Sequence, residues 1–156
     1  MFESVINSST RYWVGVASRN HVLKGKAGGF AQLCHGKQQP LKRMAKGDWI
    51  IYYSPQEILG EKSPCQQFTA IGEVIGEEVY QFEMTPDFTP FRRDIKFLSA
   101  QDAAIQPLLD KLSFVKNKKS WGYAFRYGHL QIPETDFLTI KNAMTGLNHE
   151  DINHDH

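Results

Sequence analysis

Few side chains in this 156-residue chain could carry chemistry, chiefly its six histidines, its two cysteines, and its arginines and lysines. Cys34 and His35 are sequence neighbours, and neighbours on a helix or strand diverge instead of sharing a proton. A thiol nucleophile needs its base within hydrogen-bond reach, so the fold would have to bring in His21 or His129. His21, Cys34 and His35 follow no metal-ligand spacing, and no metal or other cofactor is expected. The stretch Gly25-Lys26-Ala27-Gly28-Gly29 can offer backbone amides to an anion. It is not a P-loop, and Gly36-Lys37 fails the same test, with Ala31 where glycine is required and Gln38 where Ser or Thr is required.

Arginine gives a sharper signal. In residues 91–98, strand alternation puts Arg93 with Phe91, Ile95 and Phe97 on an apolar face, and Arg92 with Asp94 and Lys96 on a polar one. A guanidinium pointing into an apolar interior is costly unless it is paired. It reaches into a cavity for a base edge or phosphate, pairs with a carboxylate such as Glu73 or Asp48, or snorkels off an edge strand.

Residues 40–55, PLKRMAKGDWIIYYSP, run from a basic segment through Gly47-Asp48 into an aromatic strand. Trp49, Ile51 and Tyr53 share one face and Ile50, Tyr52 and Ser54 the other. Both faces are apolar and both carry a ring with a polar edge. One must pack a core; the other, with Tyr52 and Ser54, is expected to face a flat, partly polar ligand such as a nucleobase.

The elements that must position these groups are short. Strands are expected over residues 11–18, 48–54, 67–76, 78–84, 91–98 and 129–132. A helical turn followed by a flexible glycine loop is expected over 19–29, a short helix over 30–35, another near 103–111, and a terminal helix from Pro133 to Met144 ended by Gly146. This pattern argues for an α+β fold built on a curled, mostly antiparallel sheet. The length fits one domain, read as residues 11–146 with an extension over 1–10 and a polar, frayed tail over 147–156.

Net charge is +1, so any nucleic-acid binding needs a local basic patch. Basic residues do cluster locally, at Lys24 and Lys26, at Lys37, Lys42, Arg43 and Lys46, and at Lys116, Lys118 and Lys119. The chain shows no secretory signal and no apolar run near the roughly 20 residues that span a bilayer. A cytoplasmic protein with reduced thiols, as a monomer, is the expectation.

The segments HGKQQPLKRMAKGDWIIYYSP, QFTAIGEV, FRRDIKF and SWGYAFRYGHLQI, in that order, resemble the EVE-domain family, a branch of the PUA-like superfamily that also holds YTH and ASCH domains. The resemblance runs from about Tyr12 to Met144. It implies a twisted β-barrel with short helices around it and a pocket at the barrel edge, which in YTH relatives reads methylated adenine through an aromatic cage. It places that pocket at residues 18–21, 28–30 and 52–54, closed by 125–128. Gly29-Phe30 stands where a tryptophan-rich cage would be.

Together these readings give a binding module for one base, flipped or unpaired and modified, in RNA or DNA. Its expected ligand-facing residues are Ser18, Asn20, His21, Gly28, Gly29, Phe30, Tyr52, Ser54, Arg93, Trp121 and Phe125. Lys24, Lys26, Lys37, Arg92, Lys118 and Arg126 are expected on the phosphate backbone. The alternatives are an ASCH-like hydrolase or nuclease using His21 or His35 with Lys37, and a binder of a small nucleotide-like ligand.

Overall fold

The computed structural model describes residues 9–146; the expected tail and most of the N-terminal extension lie outside the described residues. In chain order the elements are β1 (Tyr12–Val16), α1 (Arg19–Gly28), β2 (Phe30–Ala31), a tight turn at Cys34–Gly36, α2 (Gln38–Arg43), β3 (Trp49–Gln56), β4 (Pro64–Val74), β5 (Tyr80–Gln81), β6 (Phe91–Phe97), β7 (Ala103–Ala104), 3-10 turns at Gln106–Lys111 and Trp121–Phe125, β8 (His129–Ile132) and α3 (Glu134–Thr145). The sheet runs β2-β6-β4-β3-β1-β8, with β5 added beside β6 and β7 beside β4. All pairings are antiparallel except β1 with β3, whose connection crosses over through α1, β2 and α2. The result is the expected curled, mostly antiparallel sheet with a few short helices, an α+β half-barrel.

Helices and turns cover both sides of this sheet, which corrects the reading of β3. On one side Ile51 and Tyr53 join Val14, Phe68, Ile71, Leu112, Phe137, Ile140 and Met144. On the other, Ile50 and Tyr52 join Trp13, Leu33, Leu41, Ala70 and Ile95. Neither face of β3 is left for a ligand. Tyr52 is buried with its hydroxyl accepting from Gln32 N at 3.3 Å, and Ser54 is buried against Thr69 Oγ1 at 2.7 Å. Truncating a fully enclosed ring such as Phe68 to Ala would cost about 3–5 kcal/mol.

Several local expectations change for identifiable reasons. Residues 19–28 form a full helix capped by Gly29, because its glycines serve close packing instead of a loop. A Cβ on Gly25 would stand 2.6 Å from Phe30 O, and one on Gly28 would stand 2.5 Å from the Phe30 ring. Residues 30–35 are a two-residue strand and a kink, not a helix, and the strand expected over 78–84 shrinks to Tyr80–Gln81. The helix expected near 103–111 is a short strand followed by a 3-10 turn. Asp48 anchors the turn before β3, accepting from Trp13 Nε1 at 3.0 Å, Ala45 N at 2.9 Å and Arg11 N at 3.1 Å.

Arg93 is buried as alternation requires, and its bonded partners are main-chain oxygens, with the charge of Asp48, one of the expected carboxylates, acting on it through space. Its guanidinium donates to the main-chain oxygens of Gly76 (3.0 Å), Leu41 (2.9 Å) and Met44, tying β6 to α2 and to the segment after β4. Arg92, expected on a polar face, is also buried. It lies between the rings of Phe30 and Phe82, 3.8 and 4.0 Å from their centroids, and Nε donates to Gln32 Oε1 at 3.0 Å.

Candidate functional site

Where β1 and β3 end on the same side of the sheet, a cleft of about 550 Å³ opens. This lies within the range of about 300–1,000 Å³ usual for small-molecule sites. Its walls come from the exit of β1 and the start of α1, from the kinked segment after β2, from the loop after β3, from Phe88 before β6, and from residues 126–128 before β8.

The start of α1 is fixed by Ser18. This residue is extended (φ −61°, ψ 151°), and its Oγ accepts from His21 N at 3.3 Å, an N-cap that leaves other first-turn amides at the helix's positive end. His21 is held by its own ring, Nε2 lying 2.9 Å from the carbonyl oxygen of Gln32. A carbonyl can only accept, so Nε2 carries the proton and Nδ1 is the acceptor.

The opposite wall is strained. Cys34, His35 and Gly36 lie consecutively in the left-handed region, with φ of 49°, 63° and 81°. For the first two this conformation is uncommon and costs about 1–3 kcal/mol each, and such strain concentrates at functional sites. Gly36 has a second constraint, since a Cβ there would stand 2.5 Å from Pro90 Cβ. Burial pushes the Cys34 thiol up, against the smaller opposing pull of Lys37 and Arg43. A catalytic thiolate requires the reverse.

The third wall carries Arg126 and Tyr127. Both side chains are exposed, and the Arg126 guanidinium lies 3.6 Å from the Tyr123 ring centroid and 4.4 Å from that of Tyr127. Counting this wall, the cleft presents His21, His35, Lys37 and Arg126, with no Asp or Glu among its described lining residues.

Of the expected site residues, the structure brings Ser18, His21, Lys37 and Arg126 to this cleft, along with His35. Asn20 is exposed just beyond it, its N–H donating to Glu57 O at 2.9 Å. The remaining residues lie elsewhere. Gly28 and Gly29 form the far end of α1, Phe30 lies against Arg92, and Phe125 is buried with its ring stacked 4.3 Å from Tyr53. Tyr52, Ser54, Arg92 and Arg93 belong to the cores described above. Lys24 and Lys26 sit on α1 away from the lining. Lys118 is a structural residue, Nζ donating to the carbonyl oxygens of Leu109, Leu112 and Val115 at 2.8–2.9 Å.

A family model described as EVE domain matches residues 11–143. The chain belongs to the EVE-domain family. It is 54% identical over 130 residues to the UPF0310 protein in the gntR 5′ region of Bacillus licheniformis, covering 83% of this chain and 88% of that one. It is 48% identical over 140 residues to the UPF0310 protein YdcG of Bacillus subtilis, covering 90% and 95%. The solution NMR structure of Rpa0253 from Rhodopseudomonas palustris shares the fold with a TM-score of 0.53 at 17% identity, over 93% of this chain and 99% of that one.

In this EVE domain, sequence reasoning missed Gln32, Gln56, Leu59 and Phe88 as cleft residues and weighed Cys34 only as a nucleophile or metal ligand. The kink at residues 34–36 turns Cys34 and His35 toward the cleft, and only Gly36 marks it in the sequence. A second, smaller pocket of about 220 Å³ adjoins the third wall, lined by Trp121 and Tyr123 among others, with Arg126 common to both. Among the described residues, no three His, Cys, Asp or Glu side chains come together as a metal-binding group. No helix among them is long and apolar enough to cross a membrane.

Proposed function

We propose that this EVE domain binds nucleic acid by admitting one flipped or unpaired base, modified by a small apolar group, into the cleft beside α1. The observation that carries the reading is an open, base-sized recess lined by donors, cations and rings, with no carboxylate to repel a phosphate. Ser18 Oγ, His21 Nδ1 and Gln56 meet the base edge. The stacking surface is supplied by Tyr127 and Phe88, in place of the buried Tyr52 and the covered Phe30. Lys37, His35 and Arg126 take the flanking phosphates.

The energetics are self-consistent. Unstacking a base costs a few kcal/mol, and stacking on an exposed ring returns about 1–3 kcal/mol. A methyl group seated against Val16, Ala17 and Leu59 adds about 0.8 kcal/mol, enough for several-fold discrimination. Phosphate contacts position the strand without reading it. The raised Cys34 thiol weighs against a thiolate enzyme at the same place.

The test is a thermal-shift screen of unmodified and modified nucleosides, followed by titration of single-stranded RNA and DNA at two salt concentrations. A specific nucleoside raises the midpoint by mass action, and polymer affinity falls as salt rises. Both responses are lost in Tyr127→Ala. If no nucleoside shifts the midpoint and polymer binding ignores salt, the reading fails. Cleavage of the oligonucleotides that disappears in His21→Ala would instead establish the hydrolytic alternative.

A further inference from the structure

The smaller pocket beside Arg126 is built as firmly as the cleft it adjoins. The loop carrying Phe114 and Val115 lines it, and two side chains hold that loop, the buried Asp136 and the exposed Lys118. Asp136 accepts from Ser113 N (3.1 Å), Ser113 Oγ (2.9 Å) and Phe114 N (2.9 Å). Lys118 Nζ binds three carbonyls of the same stretch, Leu109, Leu112 and Val115. Trp121 stands edge-on to Tyr53, ring planes at 86°, which anchors one side of it in the core. Asn117 Oδ1 is already used, accepting from Lys119 N and Ser120 N at 2.9 and 3.1 Å, so its –NH2 is the part available to donate outward.

Rings, one amide donor and Lys116 are what a second heterocycle with its phosphate requires. Because Arg126 lines both recesses, their occupants lie within reach of one guanidinium. Resting on the assignment of the larger cleft to a base, we infer that the smaller pocket takes the adjacent base of the same strand, with Arg126 contacting the phosphate that joins the two. The module then recognises a dinucleotide step, and its specificity has two positions. Arg126 suits the linking role because its planar fork is held against Tyr123 and Tyr127, with Nη1 donating to Tyr123 O at 2.7 Å.

The experiment compares the four nucleoside 5′-monophosphates with all unmodified dinucleotides, in ribo and deoxy form. Amide and indole NMR shifts are followed at Ser18, His21 and Lys37 for the cleft and at Asn117, Ser120 and Trp121 for the smaller pocket. Dinucleotides shift both groups and bind about tenfold more tightly than monophosphates, the value of one added stacked base. Their log affinity falls with log salt at a slope of about −0.7, the mark of one linking phosphate. Lys116→Ala, at an exposed position that lines only the smaller pocket, lowers dinucleotide affinity severalfold toward the monophosphate level and leaves monophosphate binding within about twofold. Dinucleotide shifts confined to the cleft, with monophosphate-like affinity, overturn the second subsite and leave the cleft assignment standing. Shifts at neither site from any probe overturn both.

Discussion

Arg92 and Arg126 are built alike and placed differently. Each guanidinium lies between two aromatic rings and donates one further bond, Arg92 to Gln32 Oε1 and Arg126 to the Tyr123 carbonyl. Arg92 is buried between Phe30 and Phe82, where desolvation lowers its pKa from the ordinary value, while Arg126 is exposed where two pockets meet. The difference shows that a stacked arginine does not by itself mark a ligand site. When buried it fastens strand to strand; when exposed its remaining donors face whatever enters. Arg93 belongs with Arg92, because its partners are main-chain oxygens of its own chain.

The strongest way to break this comparison is at Arg93. Arg93→Ala leaves the carbonyls of Gly76, Leu41 and Met44 without their donor, at about 1–3 kcal/mol for each that stays dry. The expected loss is about 3 kcal/mol or more, read as a fall in the denaturant midpoint with unchanged slope. A variant that kept its midpoint but no longer bound nucleic acid would move Arg93 into the site and end the distinction.

Histidines divide in the same way. His21 lines the cleft with one nitrogen bonded, whereas His129 is buried, stacked on Trp13 with ring centroids 4.7 Å apart, and neither ring nitrogen has a partner. Burial, reinforced by the nearby positive charge of Arg43, lowers the His129 pKa to about 4. The unfolded chain takes up this proton near pH 6.5 and the folded chain only near pH 4. Between those values the unfolded state binds more protons, so stability rises with pH through the window and is lost on acidification. The difference amounts to roughly 3 kcal/mol between pH 7 and pH 4. His129→Phe, which keeps the ring stack and removes two unpaired polar atoms, flattens that part of the profile; a parent profile with no slope there would refute the assignment.

The strands of this fold were legible because they alternate. β1, β3, β4, β6 and β8 fall within a few residues of their expected bounds, and Arg93 was correctly placed on an inward face. The site was less legible, since alternation separates two faces but does not say that both are covered. Alternation singles out Tyr52, with Ser54, as the ligand-facing ring, yet Tyr52 packs in one core just as Tyr53 packs in the other. Gly25 and Gly28 read as a loop because a close helix–ring approach leaves no mark except the glycine itself. The cleft is assembled from five separate chain segments, so Phe88, Gln56 and Tyr127 share no local pattern.

A smaller effect separates structural from ligand-facing work at one residue. Ser18 both caps α1 and lines the cleft. Ser18→Ala costs about 1 kcal/mol of stability, whereas Ser18→Gly costs only a few tenths, because glycine tolerates the cap position. Both variants lose the hydroxyl. Equal loss of base affinity in the two, measured well below their melting temperatures, assigns that loss to the ligand contact. Loss that tracks the melting temperature assigns it to the cap.

The least effect on stability is expected at Arg126. Its contacts are exposed, and a cation over an exposed ring contributes about 0.5–1 kcal/mol, so Arg126→Gln should shift the denaturant midpoint only marginally. Oligonucleotide affinity should nevertheless fall about tenfold and lose part of its salt dependence, since one phosphate contact disappears. Arg126→Lys refines the point. Lysine keeps the charge but not the planar fork held between Tyr123 and Tyr127, so it should restore the salt slope while recovering only part of the affinity. Full recovery by lysine would mean that charge alone matters there, and that the resemblance between the Arg92 and Arg126 sandwiches is confined to geometry.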